Sequence, residues 1–243
     1  MMEVKEDFSL KSYNTFGIDI YAKYFSEFYS VNDLSDILEN FQDHQQLVLG
    51  GGSNVLFTKN FNGIVLKNNI PSIDIVNEDG ESVYVRAGAG VNWHQFVMYC
   101  VANNFGGVEN LSLIPGNVGA SPMQNIGAYG AEIKDVFHEL SAWNLAENNT
   151  QSFSNSDCEF GYRESVFKKK FKGQFIILDV TFRLSKKPVF NISYGAIKSE
   201  LEKMNAQELS IKAISDAVIK IRSSKLPDPA IIGSAGSFFK NPE

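Results

Sequence analysis

The chain is poor in the residues that most often announce a metal or a disulfide framework. It has only three histidines, His44, His94 and His138, and two cysteines, Cys100 and Cys158. None has a second histidine or cysteine at metal-ligand spacing, so no metal site is expected. Two isolated cysteines read as reduced thiols. No apolar run approaches the roughly 20 residues that span a bilayer. The opening Met1-Met2-Glu3-Val4-Lys5-Glu6-Asp7 lacks the basic-then-apolar layout of a secretion signal, so a cytoplasmic location with no membrane partner is expected. Positive charge is in deficit: 22 Lys and Arg face 28 Asp and Glu, for a net charge of -6. That argues against nucleic acid as a partner, yet leaves room for a local basic pocket.

What is present suits a globular protein of one large or two small domains. Of 243 residues, 44% are hydrophobic and 21% charged. Val31, Leu34, Ile37, Leu38 and Phe41 predict a helix over 31–41. Leu47-Val48-Leu49 and Ile64-Val65-Leu66 read as strands, with Val55-Leu56-Phe57 as a further apolar piece beyond a glycine turn. Ile73–Val76 and Ser82–Arg86 flank Asp79-Gly80, a hairpin signal. A helix is expected over 91–103, a half-buried strand where Leu178, Val180, Phe182 and Leu184 alternate with polar residues, and two helices on Ile197–Met204 and Ile211–Ile221. Leu226-Pro227-Asp228-Pro229 then breaks regular structure, and a domain boundary is placed there.

Four motifs carry chemistry. In Gly50-Gly51-Gly52-Ser53-Asn54, glycines allow close backbone approach and successive N–H groups can form a nest for phosphate oxygens; the alternative is a plain strand–strand turn. This is neither G-x-G-x-x-G nor a P-loop. The run Ile114–Gly130 is richer: small residues, two prolines and three amides with few long apolar side chains. A backbone lying along a flat polar ligand uses such residues, although a long surface loop is the competing reading. In Tyr162-Arg163-Glu164-Ser165 the arginine fork suits a carboxylate or phosphate, or a surface ion pair. In Gly236-Ser237-Phe238-Phe239, the serine hydroxyl is a proton-donor candidate and lacks the G-x-S-x-G of a hydrolase.

Taken in order with Asn14-Thr15-Phe16-Gly17, Ser193-Tyr194-Gly195 and Arg222–Pro229, these motifs resemble the UDP-N-acetylenolpyruvoylglucosamine reductase family, in its subgroup with a substrate-covering tyrosine loop. The resemblance implies an α+β vanillyl-alcohol-oxidase/PCMH-type FAD-binding fold. Residues 1–70 and 71–226 would form two FAD-binding subdomains, and 227–243 the start of a substrate-binding domain. It implies FAD as cofactor, NADPH as co-substrate and UDP-N-acetylglucosamine enolpyruvate as substrate, in peptidoglycan precursor synthesis. Gly50, Gly51, Gly52, Ser53 and Asn54 would face the pyrophosphate. Pro115, Gly116, Asn117, Gly119, Ala120 and Ser121 would line the cofactor, followed by Gln124, Asn125, Gly127 and Ala128, with Ile177 nearby. Arg163 would stabilise charge on the substrate carboxylate and Ser237 would donate a proton. Tyr162, Tyr194, Arg222, Lys225 and Asn241 would hold the nucleotide-sugar.

The family also carries a catalytic glutamate near its C-terminus, which has no counterpart before Glu243. The expectation is therefore a chain cut short, a monomer that binds FAD and turns over poorly. A non-catalytic FAD-binding module and another flavin enzyme of the same fold are the alternatives; covalent flavin attachment through a histidine is disfavoured because 106–130 contains none.

Overall fold

Two large sheets and a two-stranded ladder divide the strands by sequence. The computed structural model describes residues 3–228 and 231–235, so the expectations for Ser237 and Asn241 lie outside the described residues. The first sheet is built from β1 (Val4–Ser9), β2 (Tyr21–Phe28), β3 (Gln46–Leu49) and β4 (Phe61–Asn68), in the order β1-β2-β4-β3. β1 runs antiparallel to β2, while β2 and β3 are both parallel to β4. The crossover from β2 to β3 passes through α1 (Val31–Asn40), matching the predicted helix. Ser30 caps it by accepting the Asp33 N–H at 3.1 Å.

The second sheet is antiparallel throughout. It takes β5 (Ile73–Glu78) and β6 (Ser82–Gly88), then, after α2 (Trp93–Ala102) and the two-residue strands β7 (Gly127–Ala128) and β8 (Ala131–Glu132), β9 (Phe137–Asn144), β10 (Asn149–Ser154) and β11 (Phe175–Ser185). Its order is β10-β9-β11-β6-β5. The predicted β5–β6 hairpin forms, its turn closed by the Asp79 carboxylate, which accepts the Glu81 and Ser82 N–H groups at 2.8 and 2.7 Å. α3 (Gly195–Lys203) and α4 (Ile211–Lys225) follow, packed together through Ile197, Leu201, Ile214, Val218 and Ile221.

One expectation needs correction, one holds with a single exception, and four strands were not read from the sequence. Val55-Leu56-Phe57 is not a strand, so the glycine turn leads from β3 into irregular chain rather than into a second strand. β11 keeps the expected alternation, with Leu178, Val180, Phe182 and Leu184 buried against part-exposed Asp179 and exposed Arg183; Thr181 alone departs from it, buried in this central strand. β1, β2, β9 and β10 were not legible: Lys23, Ser26 and Glu27 break the alternation of β2.

The sheets share an apolar cluster. Leu34, Ile37 and Leu38 of α1 with Phe28, Ile64 and Leu66 of the first sheet meet Trp143, Ile176 and Leu178 of the second. Full burial of Leu34 contributes about 1.5–3 kcal/mol. One polar tie crosses the same seam. Buried Asn68, at the end of β4, donates to the Ile177 carbonyl at 3.0 Å and accepts the Ile70 N–H at 3.1 Å. Asn68→Ala strands both groups and is expected to cost about 1–3 kcal/mol, read as a melting temperature lower by roughly 2–12 °C. An unchanged melting temperature contradicts the tie.

Candidate functional site

The glycine turn after β3 is shaped by what it touches. Gly52 adopts φ +65°, and a Cβ there would lie 2.0 Å from the Tyr13 carbonyl oxygen. On its other side, a Cβ on Gly51 would lie 2.8 Å from Gly116 Cα, and Gly116 itself sits at φ +111°. The first two motifs, 65 residues apart in sequence by these numbers, are therefore in backbone contact. The Asn54 side chain ties them again, donating to Gln124 Oε1 at 3.1 Å. Among the described residues, none of the backbone N–H groups from Gly50 to Asn54 donates to a protein acceptor.

A cleft of about 710 Å³ opens beside this contact. Its walls include Ser53, Asn54, Pro115, Gly116, Asn117, Ala120, Ser121, Gln124, Gly127 and Ala128 of the expected cofactor residues, and Arg163, Tyr194, Arg222 and Lys225 of the others. The remaining expected residues that the structure describes, Gly50, Gly51, Gly52, Gly119, Asn125, Ile177 and Tyr162, do not line the cleft. Gly50 lies 3.7 Å, by its would-be Cβ, from Asn117 Cβ, and Gly119 packs on Ala89. Ile177 is buried in the core. Tyr162 is exposed and stacks under the Arg163 guanidinium at 5.1 Å.

Asn125 is fully buried at φ +43° and works as a junction. Its side chain donates to the Gly161 carbonyl at 3.0 Å and accepts the Lys134 N–H at 3.1 Å, while its carbonyl accepts from Arg163 Nη1 at 3.3 Å.

Arg163 occupies the corner of a tight turn closed by mutual backbone hydrogen bonds between Gly161 and Glu164. Its φ of +54° is a left-handed conformation that costs a non-glycine residue about 1–3 kcal/mol and clusters at functional positions. Arg222, on the last turns of α4, donates from Nε to the Leu113 carbonyl at 3.1 Å. Leu113 is also left-handed, at φ +59°, and its N–H is accepted by His94 Nδ1 at 3.1 Å. Burial lowers the Arg222 pKa, and its hydrogen bond with Tyr129 offsets part of that.

The reading of the sequence missed several wall residues. Trp93, Ile114, Met123, Ile126, Tyr129, Lys168 and Ala235 also line the cleft. Tyr129 packs edge-on against Tyr194, with ring centres 5.3 Å apart, and burial raises its pKa. It stood inside the small-residue run, and Lys168 lies three residues beyond the arginine motif; both were signals within reach. Ala235 arrives because Ser234 N–H donates to the Thr15 carbonyl at 3.1 Å and Gly233 presses on Phe16.

Charge gives the cleft its chemistry. Arg163, Lys168, Arg222 and Lys225 line it, and among the described residues no aspartate or glutamate does, in a chain of net charge -6. A glycine cradle whose N–H donors have no acceptor among the described residues, with a wall of small residues beside four cations, fits an anionic, planar dinucleotide.

Comparison with known proteins defines the class. Residues 22–151 match the family model described as an FAD binding domain. A crystal structure of UDP-N-acetylenolpyruvylglucosamine reductase from Thermus caldophilus superposes with TM-score 0.74 at 22% identity, covering 100% of this chain and 76% of that one. A solvent-stable cholesterol oxidase superposes with TM-score 0.57 at 15% identity, covering 83% and 42%. The protein is thus an α+β flavoprotein of the FAD-binding fold. Curated relatives narrow this: UDP-N-acetylenolpyruvoylglucosamine reductases of Flavobacterium johnsoniae and Amoebophilus asiaticus are 50% and 51% identical, over 99% of this chain and 72% of each relative's length. The chain belongs to the UDP-N-acetylenolpyruvoylglucosamine reductase family.

Gly51→Ala is expected to push the turn away from Gly116 and weaken FAD binding at least about tenfold in a fluorescence titration, because a Cβ has no room at 2.8 Å. Gly195→Ala, at the start of α3 with nothing within 4 Å of its would-be Cβ, should leave FAD affinity unchanged. Equal affinities for both variants contradict the cradle.

Proposed function

We propose that this chain holds FAD along the Gly50–Asn54 turn and the Gly116–Ala128 wall, and reduces the enolpyruvyl group of UDP-N-acetylglucosamine enolpyruvate to UDP-N-acetylmuramate with NADPH, in the cytoplasm. The observation that carries this reading is the cleft that is cationic in an acidic protein: it suits a substrate bearing both a diphosphate and a carboxylate. None of the described helices is long and apolar enough to cross a membrane. The division at 70/71 and 226/227 into two FAD-binding subdomains and the start of a substrate-binding domain belongs to the same proposal.

When bound, FAD supplies the hydride, replenished from NADPH. The chain's own residues do the rest. Hydride addition to an enol ether conjugated with a carboxylate places developing negative charge on the carboxyl end. Arg163 meets that charge with fixed N–H donors, an effect strongest where water is excluded. Ser237 protonates the neighbouring carbon; supporting this, Ala235, two residues before it, lines the cleft. Lys225 pairs with the diphosphate, while Tyr194, with Asn241, orients the sugar. Arg222 reaches the cleft from α4 and adds to the diphosphate's electrostatic field. Tyr162 acts indirectly, as a platform under the arginine.

Single-turnover mixing separates the two half-reactions. Arg163→Ala should slow reoxidation of the reduced flavin by substrate about 10²–10³-fold and leave reduction by NADPH within a factor of about two. Equal slowing of both half-reactions would remove Arg163 from the carboxylate step.

A further inference from the structure

The Arg163 guanidinium is held by three acceptors, and only one of them is a side chain. Nη1 donates to the Asn125 carbonyl and to Glu132 Oε1, both at 3.3 Å, and Nη2 donates to the Gly127 carbonyl. An arginine has five N–H donors. Three are used here, which leaves Nε–H and one Nη2–H without an acceptor among the described residues. Nε–H lies on the guanidinium's side-on edge, the edge that meets a carboxylate from Nε and Nη2 together.

Glu132 is itself fixed before it meets the arginine. It pairs with Gly127 across the β7–β8 ladder, which puts it beside the carbonyl that Arg163 also uses. Its Oε2 lies 2.8 Å from Lys134 Nζ. A capping box closes the following turn, with Asp135 N–H donating to the Glu132 side chain and Glu132 N–H donating to Asp135 Oδ2 at 3.1 Å. Gly127 leaves the space this pair needs: a Cβ there would lie 2.8 Å from both Arg163 Nη1 and Glu132 Cγ. The side chains of Arg163 and Glu132 are only 29% and 23% exposed, so solvent competes weakly for the contact.

We propose that Glu132 is the positioning residue for Arg163: its carboxylate pins one end of the guanidinium so that the side-on edge stays presented to the ligand's carboxylate. The inference rests on the reading of Arg163 as the group that meets that carboxylate. It makes a prediction opposite in sign to simple electrostatics. Glu132 is negative and adjoins a cationic cleft, so by charge alone its neutralisation should tighten every anionic ligand. If it acts by orientation, neutralisation weakens the ligand that needs the fork and spares the one that does not.

The test uses the FAD-loaded chain and two nucleotide-sugars, titrated by the change in flavin absorbance or by calorimetry. UDP-N-acetylmuramate carries the lactyl carboxylate; UDP-N-acetylglucosamine lacks it. Glu132→Gln is expected to weaken the first about tenfold and to leave the second within about twofold, with FAD content unchanged. Glu132→Asp, which keeps the charge, should recover part of the lost affinity. Tighter binding of both ligands, unchanged binding of both, or equal weakening of both overturns the proposal. Arg163→Ala is measured alongside. If it too fails to distinguish the two ligands, the underlying assignment of Arg163 fails; if it distinguishes them and Glu132→Gln does not, only the positioning role fails.

Discussion

The close approach of Gly51 to Gly116 is the constraint on which the site's architecture depends. The turn after β3 and the irregular segment after α2 can approach this closely only because both positions are glycine: a single Cβ on Gly51 would already sit 2.8 Å from Gly116 Cα. That contact sets one end of the cleft. It brings a turn whose N–H donors find no acceptor among the described residues against a wall whose own N–H groups are partly committed: Val118 and Gly119 donate to the carbonyls of Val91 and Ala89 at 2.8 and 3.0 Å. The wall is thereby rigid where it meets the second sheet and open toward the ligand.

From that contact the rest follows by attachment. The wall continues into Asn125, whose buried side chain grips the Gly161–Glu164 turn, and that turn carries Arg163 at its left-handed corner. The helical hairpin of α3 and α4 brings Tyr194, Arg222 and Lys225 to the cleft, with Tyr194 packed on Tyr129 and Arg222 bonded to the Leu113 carbonyl. Four of the ten described non-glycine residues with positive φ lie in or beside this site: Leu113, Asn125, Tyr129 and Arg163. Each is over-determined by hydrogen bonds or packing, the pattern expected where a fold stores local cost in return for a preorganised site.

Much of this was legible in the residues themselves, for identifiable reasons. Long-period helices with caps, the Asp79-Gly80 hairpin and the small-residue run are local signals, and each corresponds to an element or a cleft wall. β2 and β9 were not legible because their burial is set by non-local partners: Ser26 and Asn144 are polar residues buried by neighbouring strands or loops. Tyr129 and Lys168 were passed over for the opposite reason. Both adjoin residues whose motif role drew attention, and only the folded chain shows that their side chains share the cleft. Glu132 illustrates a third limit, since its pairing with Arg163 spans 31 positions and depends on a two-residue ladder that no periodicity announces.

The account's central claim is that two distant glycine-bearing segments grip one cofactor together. Amide hydrogen–deuterium exchange of the purified chain, with and without FAD, addresses it directly. Slower exchange on FAD addition at both Gly50–Asn54 and Gly116–Ala128, with α1 unaffected, is the expected result. Protection confined to one of the two segments, or absent from both despite bound flavin, would contradict it.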